Sequence, residues 1–371
     1  MSKQAFSSAR GKLNAEVFNK LNEIFLKEYY REEYKEHKGY LIFAVDGTGL
    51  EIPNTKELKE TFGCTSNQRG KSEKPTAKSS IMYDIQNGII VNGVLKPCNN
   101  SEIEMSMEHL NKIKEISTLK NKKVIILFDR LYPSAKLMAY LKENNIDFIM
   151  RSKKNYINET KVAMKYSQYD KIKTLKIRKN ILEKNLWFKS FLKKNDYKLQ
   201  VRITTGKFSD EQIGIFLTSL EVEKFSREEI VELYKNRWKI ETNFRHQKET
   251  GEFENFACKT TIRLRQEYFC KIYTLNLTNL LIEEAEEIVK DEIKLGIIKS
   301  KYDLKVNKNV AFGIVKDNLV KFILGNEGEH FLENLIYEIS KHKIPIIEDR
   351  IFDRKFHGRK RKYNIVYRRP S

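Results

Sequence analysis

Two uninterrupted apolar runs, each closed by an aspartate, constrain the fold of this chain more than any other feature. Tyr40-Leu41-Ile42-Phe43-Ala44-Val45 ends in Asp46, and Lys123-Val124-Ile125-Ile126-Leu127-Phe128 ends at Asp129. Neither run alternates apolar with polar residues. A strand without alternation is buried on both faces, so each run predicts a central strand of a covered sheet. An acid closing such a strand is common for structural reasons, because Asp often caps the next turn or helix. Two such strands in one chain admit a second reading. As neighbours they would bring both carboxylates to one edge of the sheet, where α/β folds place their ligands. Close carboxylates repel, and a divalent cation relieves that repulsion. Mg²⁺ suits the position, since it prefers oxygen ligands and binds through one or two carboxylates plus substrate phosphates.

The rest of the pattern builds around these strands. Residues 1–38 predict a helical segment, with Phe6, Leu13, Val17, Leu21, Ile24 and Phe25 at helical spacing. Gly47-Thr48-Gly49 reads as a turn and Leu50-Glu51-Ile52 as a returning strand. Ser80–Ile85 and Ile89–Val91 flank Asn87-Gly88, a strong hairpin signal. Residues 101–119 predict a helix, and Pro133-Ser134 opens another that runs to about Asn144. Residues 151–222 predict a strand-rich insertion. Within it, residues 151–210 hold 17 Lys and Arg against 5 Asp and Glu. Ser226 with Glu229 three positions on is a capping box that opens one long helix reaching roughly Thr250. A further helix covers about 261–290, and the tail from Arg354 to Arg369 carries eight basic residues. The organisation expected is a helical segment over 1–38, a first core part over 39–150, the basic insertion over 151–222, a second core part over 223–290 and a C-terminal region over 291–371. The sheet is mixed, with flanking helices.

Charge narrows the partners. Seventy Lys and Arg against fifty Asp and Glu leave a net +20 over 371 residues. That surplus suits a polyanion, with nucleic acid first and an anionic membrane surface second. A Lys-rich, AT-biased genome would also raise the count. No stretch approaches the ~20 apolar residues of a membrane span, and Met1-Ser2-Lys3-Gln4 opens no signal peptide, so a cytosolic protein is expected. The four cysteines form no CxxC pair, which argues against a structural zinc or a disulfide framework.

A third element joins the two aspartates. At ~100° per residue, Tyr234, Arg237, Glu241 and Lys248 fall within a stripe roughly 60° wide on one continuous helix. Leu233, Ile240 and Phe244 form the apolar stripe beside it. Helix geometry leaves two readings open: a salt-bridge ladder through Arg237, Glu241 and Arg245, spaced i, i+4, i+8, or a functional polar stripe bordering the core.

The spacing Tyr234-x2-Arg237-x3-Glu241-x6-Lys248 resembles the signature of bacterial insertion-sequence transposases of the IS-four family. Phe43-Ala44-Val45-Asp46-Gly47-Thr48 is similar to that family's first catalytic strand, and Leu127-Phe128-Asp129-Arg130-Leu131-Tyr132-Pro133-Ser134 to its second. Leu217-Thr218-Ser219-Leu220 resembles the strand before the signature, so the likeness runs from about residue 40 to 290. The resemblance implies an RNase H-like mixed sheet flanked by helices, with a β-strand insertion between the second Asp and the catalytic Glu. It implies a transposase that cleaves the ends of an insertion sequence and transfers them into target DNA, in a bacterial cytoplasm at the nucleoid. Asp46, Asp129 and Glu241 would be catalytic and would hold two Mg²⁺ ions, with Mn²⁺ able to substitute. Tyr234, Arg237 and Lys248 would contact DNA phosphates. Partners would be the element's terminal inverted repeats, the target duplex and a second copy of the chain on DNA, with no membrane. Hairpin-forming relatives carry a base-stacking aromatic residue where this chain has Gly214; Trp187 or Phe216 would then take that role. Residues 2–10 resemble the end of the family's N-terminal DNA-binding region, of which this copy would hold only part. An inactive or domesticated remnant that only binds DNA is the alternative.

Overall fold

The structure is a computed structural model, and it describes residues 2–32, 34–66, 73–176, 186–196, 198–209, 212–249, 253–325, 328 and 330–347. The basic tail lies outside the described residues. In chain order the elements open with α1 (Lys3–Lys12), α2 (Glu16–Tyr29), β1 (Tyr40–Glu51), α3 (Lys56–Phe62), β2 (Cys64–Ser66), β3 (Glu73–Asp84) and β4 (Ile89–Pro97). Next come α4 (Glu102–Glu115), β5 (Lys123–Phe128), α5 (Ala135–Glu143), β6 (Asp147–Ser152), α6 (Asn158–Ala163), β7 (Asp170–Lys176), α7 (Leu186–Lys194), β8 (Lys198–Ser209) and β9 (Gln212–Thr218). The chain continues with α8 (Arg227–Lys235), α9 (Trp238–Glu249), α10 (Thr261–Lys294), β10 (Leu304–Val306), α11 (Lys308–Leu324), α12 (His330–Lys341) and β11 (Lys343–Pro345). Among the described residues no helix is long and apolar enough to cross a membrane.

Two compact units divide these elements. One comprises residues 23–49 and 77–244 and is built on a mixed sheet in the order β4-β3-β1-β5-β6-β9-β8-β7. β1 pairs with β5 and β5 with β6 in parallel, whereas β9 runs antiparallel to β6 and to β8. The two apolar runs thus lie side by side at the centre. Leu41, Phe43, Val45, Val124, Ile126 and Phe128 are buried in one cluster with Leu26, Leu137, Met138 and Leu217. Coverage on both faces explains the missing alternation. Asn87-Gly88 closes the β3–β4 hairpin, with Gly88 at φ 72°. The strands read as a basic insertion extend this same sheet through β9, β8 and β7.

Two local expectations need correction. Gly47-Thr48-Gly49 forms no turn: β1 continues to Glu51. A Cβ on Gly47 would lie 3.0–3.2 Å from the side chain of Glu102, so this glycine admits a close neighbour and does not reverse the chain. The long helix from Ser226 is also two helices. Ser226 Oγ accepts the Glu229 N–H at 3.2 Å, as a cap should, but the Glu229 carboxylate turns to His37 and Lys38 at 2.8 and 2.7 Å. At Asn236 and Arg237 the backbone donates to residues three back, Leu233 and Tyr234. The Asn236 side chain also donates to the Glu232 carbonyl at 3.2 Å. The ladder thus tightens to i−3 bonds at this point without Gly or Pro.

Gly206 on β8 faces α8 directly: a Cβ there would come 2.5 Å from Val231 Cγ2. Gly206→Ala should therefore cost about 1–3 kcal/mol through overpacking. Urea unfolding monitored by circular dichroism measures this, and a cost under about 0.5 kcal/mol would mean that α8 is not seated against β8.

The other unit comprises residues 1–22, 50–76 and 245–371. Its core gathers Leu281, Ile282, Ala285 and Val289 of α10 with Val306, Ala311, Val315, Leu335 and Ile339. The helix α1 is clamped to α10 by polar contacts. Arg10 meets Glu267 at 3.0 Å and Gln266 at 3.1 Å, and Arg263 donates to the Ser7 carbonyl at 2.8 Å. A buried bond between Asn276 and Asn22 at 2.8 Å ties α10 to the middle of α2.

Candidate active site

The β1–β5 register ends with Val45 opposite Phe128, and the next residue of each strand line is Asp46 or Asp129. Parallel pairing thereby sets both carboxylates at the same edge of the sheet. Asp46 Oδ1 accepts the Gly47 N–H at 2.9 Å, and Asp129 Oδ1 accepts the Leu131 N–H at 2.7 Å. Burial pushes the Asp46 carboxyl up to about 6; the Gly47 N–H and Arg237 oppose that rise, while Asp129 and Glu102 add to it. An under-solvated carboxylate with negative neighbours favours a cationic partner.

The helix break delivers that cation. Arg237 lies in the turn between α8 and α9, only 7% exposed. Its Nη2 meets Glu241 Oε1 at 2.5 Å, and its Nη1 lies 3.5 Å from Asp46 Oδ2. The second contact is an ion pair without hydrogen-bond geometry, for Arg237 Nε and Nη1 are buried donors with no hydrogen-bond partner. The guanidinium also sits 5.7 Å from the centre of the Tyr234 ring. Tyr234 is buried, and that burial raises its hydroxyl to about 12, against the opposing charges of Arg237 and Arg151. Asp46, Glu241, Arg237 and Tyr234 are thus brought together, with Asp129 beside Asp46. The first rung of the Arg237–Glu241 ladder is also present. Among the described residues no three His, Cys, Asp or Glu side chains are arranged around one metal position.

The remaining expected residues are placed differently. Phe216 is fully buried on β9, its ring centre 4.9 Å from that of Tyr234. β9 is an interior strand, so the core takes this ring and no face is open to a base. Trp187 falls in α7 and Lys248 in α9, with both side chains outside the described residues. Gly214 is buried opposite Gly206 and lines a cleft with Arg130, Arg151, Ser152, Lys153 and Lys154. Sequence reading missed this cationic cleft as a unit, although Arg151-x-Lys153-Lys154 spans the end of β6. It also missed Glu102 and Tyr132, for which no spacing rule pointed to Asp46.

The donors gathered here are carboxylate oxygens, the set that suits a hard divalent cation. A half-buried Asp46 with one N–H donor and spare acceptor capacity fits such an ion. The fold and this edge define an α/β protein with acidic side chains converging at the ends of parallel strands. The family model described as "Transposase DDE domain" matches residues 37–277, and the chain belongs to that family. No curated protein matches the sequence. Among solved structures, the chain is similar to a piggyBac transposase synaptic complex with hairpin DNA, at 12% identity and TM-score 0.41, covering 94% of this chain and 67% of that one. It is also similar to the Mos1 mariner paired end complex with Mn, at 14% identity and TM-score 0.21, covering 37% of this chain and 43% of that one.

Proposed function

We propose that this protein is an insertion-sequence transposase that cuts at its element's ends and joins them to target DNA, with Asp46, Asp129 and Glu241 as the ligands of two divalent cations. The observation that carries the reading is the Val45–Phe128 register, which sets two carboxylates side by side opposite Arg237 and Glu241. The strand order β4-β3-β1-β5-β6 supports an RNase H-like core. When bound, Mg²⁺ or Mn²⁺ would supply Lewis-acid stabilisation of charge on the phosphate and activation of the attacking oxygen. The chain's own residues do the rest. Arg237 keeps two N–H-bearing nitrogens, Nε and Nη1, without hydrogen-bond partners, and a phosphate brought to the site would accept from them. Tyr234 packs against that guanidinium and positions it. By the resemblance alone, Lys248 would contact a DNA phosphate as a point charge. The cleft of Arg130, Arg151, Lys153 and Lys154 seats the backbone of the duplex. Two copies would act together on paired ends.

The test is nicking of DNA spanning the gene's own flanks. Cleavage should appear at the element ends with Mg²⁺ or Mn²⁺ and vanish in EDTA. Cleavage that survives EDTA would remove the metal assignment. A second reading, a remnant that binds DNA without cutting it, draws support from the 2.5 Å Arg237–Glu241 pair, in which arginine and not a metal neutralises the acid. Binding of the flanks with no cleavage under any divalent ion would favour it.

A further inference from the structure

Glu102 stands beside the site, and no part of the signature spacing includes it. It opens α4, and its carboxyl atoms come within 3.0–3.2 Å of where a Gly47 Cβ would be, one residue from Asp46. Glu102 and Asp129 are the negative charges close enough to act on Asp46. A structural account is available: an acid in the first turn of a helix favours the dipole, and Lys78 Nζ lies 3.9 Å from Glu102 Oε1. That distance is too long for a hydrogen bond, so Lys78 does not satisfy the carboxylate.

A second observation points into the same space. Tyr132 is fully buried, and its hydroxyl has no hydrogen-bond partner. The charges acting on that hydroxyl are Glu102 first, then Asp46 and Asp129, and the Glu102 carboxylate is near enough to attract its proton without reaching full hydrogen-bond geometry. Buried hydroxyls are normally paired, so one without a full hydrogen bond beside Glu102, Asp46 and Asp129 is placed to engage the Glu102 carboxylate when that side chain shifts toward a cation. The helix is held in place for this. His109 of α4 bonds Ser80 Oγ at 3.0 Å and Asn92 at 2.9 Å, and Ser80 Oγ lies 3.4 Å from the Asp46 carbonyl. Burial lowers His109 to about 3, so the ring is a neutral strut between α4 and strands β3 and β4, the former next to the strand that carries Asp46.

We propose that Glu102 supplies a fourth oxygen-donor side chain to the divalent-cation site anchored by Asp46, with the Tyr132 hydroxyl orienting it. This rests on the metal reading of the site given above. Gly47 is required because any side chain there would displace the Glu102 carboxyl.

The experiment is Mn²⁺ binding to the full chain without DNA, followed by electron paramagnetic resonance and calorimetry. Glu102→Gln keeps the shape and removes the charge. It should weaken Mn²⁺ binding about 10-fold or more, in the range lost when groups supporting a metal site are changed. Lys78→Met should leave the affinity unchanged, and Asp46→Asn should abolish binding. Wild-type affinity in Glu102→Gln, with binding lost in Asp46→Asn, would overturn this proposal alone. Equal weakening by Lys78→Met and Glu102→Gln would also overturn it, since Glu102 would then act through its ion pair. Undiminished binding in Asp46→Asn would overturn the metal reading itself, and this proposal with it.

Discussion

Asp46→Asn, Asp129→Asn and Glu241→Gln should each reduce end-specific nicking by at least about 10³-fold, roughly 4 kcal/mol of transition-state stabilisation. Each swap is close to isosteric. In Asp46→Asn the new amide oxygen can still accept the Gly47 N–H, and in Asp129→Asn it can still accept the Leu131 N–H. The folded state should therefore persist while the charge that holds a cation is lost. If the three acids act on one pair of ions, their effects will not add, and double variants should be no worse than single ones. Glu241→Gln is the most discriminating of the three. In a ladder serving only stability, an i, i+4 pair is worth about 0.3–0.5 kcal/mol and its loss would leave nicking intact. Retained nicking in Glu241→Gln, with an unchanged melting temperature, would place Glu241 in that ladder and take it out of the catalytic set. Circular dichroism alongside the nicking assay separates the two cases.

The sequence carried the centre of the fold because hydrophobic continuity there has one physical meaning. Phe43, Ala44, Val45, Ile125, Ile126 and Leu127 are essentially unexposed, as a doubly covered parallel pair requires. The same pattern located Asp46 and Asp129, since a strand's end is also its functional edge. Beyond Asp46 the pattern misled, because Gly47 and Gly49 have a turn's composition while Gly47 meets a demand from α4, a helix more than fifty residues away. The break at Asn236 was hidden for a related reason. Nothing between Arg227 and Glu249 is a strong helix breaker, and the interruption is a local change of the backbone N–H groups of Asn236 and Arg237 to carbonyls three back. Its consequence is geometric. On one continuous helix Arg237 would share a stripe with Tyr234, Glu241 and Lys248; in the turn it reaches Asp46 on β1 as well. Spacing can report which residues share a helix face, but not which strand that face will meet.

The second large effect falls on stability. Asp84 is fully buried at the end of β3 and accepts four hydrogen bonds: Tyr30 Oη at 2.8 Å, Asn87 Nδ2 at 2.7 Å, the Gln86 N–H at 3.0 Å and the Asn87 N–H at 3.1 Å. It joins the segment after α2 to the hairpin turn. Asp84→Ala orphans four donors, each costing about 1–3 kcal/mol when buried. Against this stands the relief of a buried charge. Burial raises the Asp84 carboxyl from 3.8 to about 6, despite the hydrogen bonds that favour ionisation. That shift is worth about 3 kcal/mol above pH 6. The orphaned donors win, and the net loss at neutral pH should be about 3–5 kcal/mol. The sign with pH follows from linkage. A carboxyl whose folded pKa is raised gives its full stability below the unfolded value and loses it as pH rises through the folded one. Asp84→Ala should therefore cost more near pH 4 than at pH 7, where the wild type carries the penalty of the buried charge. His109 acts oppositely, since its lowered pKa makes wild-type stability fall as pH drops below about 6.5. It is present in both proteins, so the difference between them isolates Asp84. Urea unfolding at pH 4.5 and pH 7 measures that difference. A penalty under 1 kcal/mol would show that Asp84 does not hold the hairpin, and one that grows with pH would show that the fold favours its ionised form, against the burial argued here.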